Sequence, residues 1–420
     1  MAPVRTELSM PDRTDIPLTF GQRVRRARER AGLSRPVLAG LVSRSSDWVK
    51  AVENGQIGMP RLPMLLRMAE VLGVDDVAQL TGEARIASSA YGRTAHADLP
   101  VVRRALSTYQ LVSRDEEPEP LDTLAARVRS AWKLWHGPDD GLPYGHRSRI
   151  AQLLPDLLAD TRHAVRCHEG PAWRKALVLE AQTYHLAQLF LSFQPAPDLV
   201  LLTGDRAMSA AQDADSPHAI AAAAWYVNHV YRDAGEAAEA RVELAEQAAG
   251  LLRKDEHPED LARWGLLQLA AALSFAKVGR HGTAWRYWDR ADDAARRLGH
   301  GYAHPWLIFG RGVVDAYALT MHNDLARAGE AVAAASSLDL NGVPSATRRS
   351  FHLIEAARAH GMKGEAVAQV ALLEKAWRES PETMQYNLHA RAALPHLVKT
   401  APPVVREDAR RLAVEIGVPV

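Results

Sequence analysis

The sequence predicts an all-α protein with a small five-helix domain near its N-terminus and a long array of paired helices after it. Three observations predict this. Apolar residues recur at helical spacing from Phe20 onward, with Ser, Gly or Asn between the runs. After residue 170, small residues punctuate helix pairs at a recurring distance. Alanine and leucine dominate, and aromatic residues make up only 6%. At 420 residues the chain exceeds one ordinary domain.

The N-terminal unit reads as five short helices. Phe20, Val24, Ala27 and Ala31 share one helical face, and Gly32 stops that helix. Ser34 caps a second helix that turns Val37, Leu38 and Leu41 inward. After a break at 42–44, Ser45 caps a third, with Trp48, Val49 and Val52 available for packing and Asn54-Gly55 ending it. Two further helices, near 62–72 and 77–80, close the unit. Charge singles out the same segment. From Phe20 to Arg61 nine Lys/Arg face three acids, a net +6, while residues 1–19 carry −1 and the rest of the chain −4. Such a local excess is the footprint of a polyanion binder or of a solvated helix face, and charge alone leaves both open.

Two short helices joined by a tight turn form a helix-turn-helix, whose second helix carries side chains into the major groove. The stretch LSRPVLAGLVSRSSDWVKAVENGQIGMPRLPMLLRMAEVLGV resembles the phage-repressor family (Cro/cI, or XRE), through Leu33-Ser34, Leu38-Ala39, Val49, Val52-Glu53, Asn54-Gly55, Pro60, Leu65, Ala69 and Leu72-Gly73. It departs from the family at the turn, where Ser43-Arg44 replaces Gly and a small apolar residue, and at Pro36-Val37, where polar residues are usual. The resemblance implies a lambda-repressor-like DNA-binding domain. It places Ser46, Asp47, Lys50 and Ala51 toward base edges, and Arg35 and the Asn54-Gly55 backbone on phosphates. Arg61 is placed toward the minor groove, and Arg28 pairs with Glu53. Ser45 is a DNA-facing candidate too, although capping is the favoured role.

The C-terminal region yields helix pairs. The clearest, 266–299, sets Ala272 and Phe275 before Gly279, then Ala284, Trp288 and Ala291. Looser versions hold Tyr231, Gly235, Ala240 and Leu244, then Ala316, Leu319, Ala328, Val332 and Ala335, then Ala357, Gly364, Leu373 and Ala376. These spacings resemble tetratricopeptide (TPR) repeats, but their period of 41–44 residues exceeds the usual ~34. A TPR-like α-solenoid with longer helices is therefore expected. By TPR register its inner face carries Trp225, His229, Arg232, Lys277, Tyr317 and Arg358. The segments 132–165 and 351–376 resemble the solenoid of actinobacterial XRE regulators. The boundaries read as a tail at 1–16, the DNA-binding domain at 17–83, a small polar hinge at 84–98, a helical connecting region at 99–170 and the repeat domain at 171–420.

Other classes find no support. P-loop, GxGxxG and HExxH patterns are missing, so no enzyme, metal or cofactor is expected. His281, His300 and His304 read as solvated loop residues, and Cys167, the single cysteine, as a buried inert thiol. One thiol fits a reducing cytoplasm, and neither a secretory signal nor a membrane span is read in the chain. The architecture resembles that of peptide-responsive regulators of Gram-positive bacteria. It implies a homodimer on a palindromic DNA operator, with a peptide, small-molecule or protein effector in the solenoid. The alternative is an interaction scaffold whose basic domain serves only to localise it.

Overall fold

The computed structural model describes residues 18–60, 62–82, 95–109, 116–137, 145–234 and 238–419. Of the polar hinge at 84–98, residues 84–94 lie outside these, while His96 is buried and its amide donates to Gln194 Oε1 at 2.7 Å. Among the described residues all regular structure is helical.

The N-terminal domain comprises α1 (Phe20–Arg30), α2 (Arg35–Leu41), α3 (Ser46–Glu53), α4 (Leu62–Val71) and α5 (Ala78–Thr81). Its helix starts are encoded locally. Thr19 and Gln22 form a capping box on α1, Ser34 accepts from the Val37 amide, and Ser45 accepts from the Trp48 amide at 2.9 Å. Each such cap is worth about 1 kcal/mol. Val24, Leu38, Val49, Val52, Leu65, Met68 and Leu80 form the core. Gly21 lets α1 lie directly on the Val52 carbonyl, where a methyl group would collide. Ser43, in the turn between α2 and α3, adopts φ 52°. The helix-turn-helix thus retains its left-handed turn residue although no glycine occupies it, at about 1 kcal/mol of strain.

The remaining chain forms α6 (Leu99–Ser107), α7 (Leu121–His136), α8 (His146–Cys167), α9 (Gly170–Leu191), α10 (Pro197–Asp213), α11 (Pro217–Ala234), α12 (Ala238–Gly250), α13 (Pro258–Lys277), α14 (His281–Leu298), α15 (Arg311–Asp324), α16 (Ala328–Ser337), α17 (Ala346–Met362), α18 (Ala366–Glu379), α19 (Pro381–Tyr386), α20 (Leu388–Thr400) and α21 (Pro403–Glu415). Consecutive helices pack as antiparallel pairs from α9–α10 through α17–α18. The first helix of each pair also packs on the first helix of the next: α9 on α11, α11 on α13, α13 on α15, α15 on α17. This two-layer order defines an α-solenoid.

The array closes on itself. Helix α7 packs on both α9 and α17, so six inner helices complete a ring. His136 fastens the closure: Nδ1 meets Ser345 Oγ and Nε2 meets the Trp306 carbonyl, both at 2.9 Å. Beside it, the buried Arg147 guanidinium lies between the Trp135 and Phe193 rings, while its backbone amide donates to Glu382 at 2.7 Å. The stretch 99–170, expected as a connecting region, therefore shares the main core of the ring through Leu106, Leu124, Trp132 and Leu154. Helices α18–α21 add a second core at the C-terminal end, built on Leu373, Leu394 and Leu412.

Three expectations are corrected here. Of the α2 residues expected inward, only Leu38 is buried, while Val37 and Leu41 are exposed because the short helix turns one side to the core. Cys167 is exposed, because it ends α8 where the chain leaves the core, and its Sγ lies 3.6 Å from His163 Nδ1 one turn back. His304 is buried rather than solvated: its loop folds inward so that the Ile308 amide reaches its carbonyl and its ring lies against Trp306.

Candidate nucleic-acid interface and inner face

The third helix is short, and its two faces differ sharply. Trp48, Val49 and Val52 enter the domain core, while Ser46, Asp47 and Lys50 are exposed. Asn54 is the exposed C-cap, and Gly55 follows at φ 73°. Ala51, expected to meet a base, is 3% exposed. The chain after the helix folds back over it, so that the Gln56 and Ile57 amides both bond to the Ala51 carbonyl. It therefore presents no methyl group to a groove in this arrangement. Arg61 lies outside the described residues.

Glu53 organises the basic residues behind this face. Its buried carboxylate receives Arg28 Nε at 2.5 Å and Arg28 Nη2 at 3.3 Å, and also Arg35 Nε at 2.7 Å. One anion thus holds two guanidinium groups from α1 and α2. Arg35 stays about one-third exposed. The second Arg35 contact has no counterpart in the sequence resemblance, which pairs Glu53 with Arg28 alone.

The N-terminal turn of α3 rests on the helical ring. Gly279, at φ 80° in the loop between α13 and α14, packs against Ser45 so closely that a methyl group would overlap the Ser45 side chain and lie 2.7 Å from its Cα. Arg327, at the start of α16, reaches Asp47 at 3.3 Å. Ile57 lies against an apolar cluster of the ring that includes Leu319 and Ala331. Three points of the DNA-binding domain are therefore docked on the ring, two on inter-helix segments and one on α15 and α16.

The residues predicted for the inner face fall into two groups. Trp225, His229 and Tyr317 share an aromatic cluster, with ring centroids 4.2 Å apart for Trp225–His229 and 6.0 Å for Trp225–Tyr317. Lys277 and Arg358 meet elsewhere, on the buried Asp324, at 3.3 and 3.4 Å, and Arg358 also reaches Glu355. The Arg232 side chain lies outside the described residues. His352 joins the aromatic cluster 5.0 Å from Tyr317, and a second ring group sits around Tyr226, with Trp132 at 6.2 Å and His185 at 4.8 Å. Burial drives the His185 and His352 pKa values down to about 3 and keeps both rings neutral. A cavity of about 260 Å³ is lined by His185 together with Val178, Ala181, His218, Glu259, Arg263 and Trp306.

Comparison with known proteins locates one family. Residues 19–80 match the family of the helix-turn-helix domain. No curated protein matches the chain. A solved structure, ComR from S. thermophilus in complex with DNA and its signalling peptide ComS, is similar at 13% identity over 72% of this chain and 99% of that one. Its TM-score is 0.21, and a likeness at that score carries no weight for the architecture, which rests on the helix contacts above.

Proposed function

We propose that this protein is a sequence-specific DNA-binding transcriptional regulator whose reading helix is held against its own helical ring until an effector enters the ring. The observation that carries the proposal is the seat of Ser45 on Gly279. A recognition helix reads DNA by placing its first turn in a major groove about 12 Å wide. Gly279, Arg327 and the loops bearing them occupy the space beside that turn. Docked and DNA-bound arrangements of this face compete, so anything that loosens the ring edge shifts the population toward binding.

The residues assigned to the DNA are Ser46, Asp47 and Lys50 on the exposed face, with Arg35, Asn54 and Arg61 toward the backbone and minor groove. The regulator acts as a homodimer on a palindromic operator, because one short helix reads few base pairs and two half-sites multiply affinity and specificity. The aromatic inner face around Trp225 and Tyr317 receives the effector.

Genome-wide mapping of binding sites tests the reading. The wild-type protein should occupy a small set of related palindromes, and the Lys50→Ala, Arg35→Ala double variant should lose them. Unchanged occupancy by the double variant would show that α3 does not read the DNA.

A further inference from the structure

The inner helices bring buried aromatic side chains together with a cation, Arg348, that has no counter-charge among the described residues. Arg348, half-buried on α17, donates to the Tyr317 hydroxyl. Among the described residues no carboxylate lies within ion-pair distance of it. The other inner cations differ in this respect, since Lys277 and Arg358 both pair with Asp324. Burial dominates the pKa shifts of Tyr226, His136 and His352, and the Arg348 charge adds a smaller lowering to each.

The neighbouring groups are buried and short of partners. The Tyr226 hydroxyl, the Trp225 and Trp132 indole N–H groups and both ring nitrogens of His352 make no hydrogen bond. Each of these residues is at most 2% exposed. Unpaired buried polar atoms are rare in folded proteins, and each costs about 1–3 kcal/mol. Here they come from α7, α11 and α17 and lie among rings already in contact, Trp132 on Tyr226 and Trp225 on Tyr317, with Tyr317 on His352.

The chemistry of the donor set names the ligand. Hydroxyl and indole groups and a guanidinium all donate, so the matching group is an acceptor with negative charge. A single guanidinium balances a single charge and matches a carboxylate bidentately. A phosphate dianion would keep an uncompensated charge in this dry site. The rings of Trp132, Trp225, Tyr226 and Tyr317 offer flat aromatic walls, and the His185 ring that packs on Tyr226 also lines a neighbouring cavity with His218, Glu259 and Arg263. We propose that the aromatic site around Arg348 binds a carboxylate carried on a flat apolar body, either a small aromatic acid or the C-terminal carboxylate of a short peptide with an aromatic last residue. This identifies the effector chemistry of the regulatory reading above and rests on it only for the link to DNA.

The test uses the full chain, titrated with four probes: indole-3-acetate, indole-3-acetamide, the tripeptide Leu-Leu-Trp and its C-terminal amide. Binding is followed by calorimetry. At least one acid should bind ten-fold or more tighter than its amide. Arg348→Gln should abolish that preference, Arg348→Lys should retain part of it, and Tyr226→Phe should weaken the acid several-fold. Matching melting curves confirm that the variants are folded, and the Lys variant decides the matter if Arg348→Gln is not. Preference for the free acid alone identifies a small aromatic acid, and preference for the tripeptide alone identifies a peptide terminus. Equal binding of acid and amide, saturation by none of the four probes at millimolar concentration, or a preference that survives in Arg348→Gln would each overturn the proposal. DNA binding read in the same samples separates the two ideas. Arg348-dependent acid binding that leaves operator affinity unchanged keeps the site and removes the regulatory reading.

Discussion

Ser45 and Gly279 are packed so tightly that only a residue without a side chain fits at position 279. One belongs to the cap of the reading helix and the other to a loop of the ring, so their contact couples the two parts of the chain. Gly279→Val should push the DNA-binding domain off the ring and lower the protein concentration needed for half-maximal operator binding several-fold. Gly279 also has φ 80°, so part of the effect of a valine there is local strain. Ile57→Ser weakens the same docking without that strain and should act in the same direction. Gel-shift titrations at one fixed salt concentration check both, and unchanged midpoints in both variants would sink the docking mechanism.

The Asp47–Arg327 ion pair should contribute little by itself. Both side chains are about half exposed, and exposed pairs are typically worth ~0.2–1 kcal/mol. A double-mutant cycle with Asp47→Ala and Arg327→Ala, read by chemical denaturation, should give a coupling below about 1 kcal/mol. A larger value would mean that this pair, rather than the Ser45 and Ile57 contacts, holds the docked state.

Glu53 is a stronger point. Its carboxylate is fully buried between Arg28 and Arg35. Removing one partner of a buried ion pair typically costs ~3–5 kcal/mol. Glu53→Gln should therefore destabilise the N-terminal domain by roughly this amount, less what the amide recovers as an acceptor. Hydrogen exchange on the full chain should show faster exchange in α1–α3 and little change in the ring. Uniform acceleration across the chain would contradict an N-terminal domain with its own core.

The turn residue Ser43 offers a stabilising change. Its φ of 52° is costly for serine and free for glycine, whereas glycine loses more entropy on folding. The net expectation for Ser43→Gly is a gain of a few tenths to about 1 kcal/mol, seen as a higher denaturation midpoint. A loss of stability would mean that the serine side chain contributes to the turn more than its strain costs.

Acidification should loosen the ring. His136, His185 and His352 are buried in its inner face with pKa values pushed by desolvation to about 3. An unfolded histidine binds a proton below pH ~6.5. Between that pH and 3 the unfolded state therefore holds more protons than the folded one, and stability falls as pH falls. Each histidine contributes at most about 1.4 kcal/mol per pH unit in this window. Denaturation midpoints at pH 7.5 and 5.5 check the sign. His185→Gln should flatten the dependence, and equal slopes in the variant and wild type would remove His185 from the account.

Much of the chain is legible from short-range chemistry. Ser34 and Ser45 announce α2 and α3 because a cap needs only the amide three residues on, and the helical spacing of Val24 and Ala27 marks the buried stripe of α1, although Ala31 at its C-cap is exposed. The paired helices after residue 170 show the same local logic, with small residues where neighbours approach. Cys167 was misplaced because burial near a helix end depends on what covers it, although the four-residue spacing from His163 could have signalled that contact. Ala51 faces outward on a helical wheel, but the chain returning through Gln56 and Ile57 covers it. Arg348 gave no sequence signal, since a lone arginine in a helix reads as solvated.

The sequence by itself determined the all-helical class, the helix-turn-helix and its capped helices, and the succession of helix pairs. These depend on interactions within a few residues of one another, which spacing encodes directly. Only the tertiary structure decided that the array closes between α7 and α17, that Arg348 meets Tyr317 with no carboxylate beside it among the described residues, and that Ser45 rests on Gly279. Those relations join residues from 31 to more than 200 positions apart. They depend on the summed small rotations between successive helix pairs, and no local pattern in the chain records that sum.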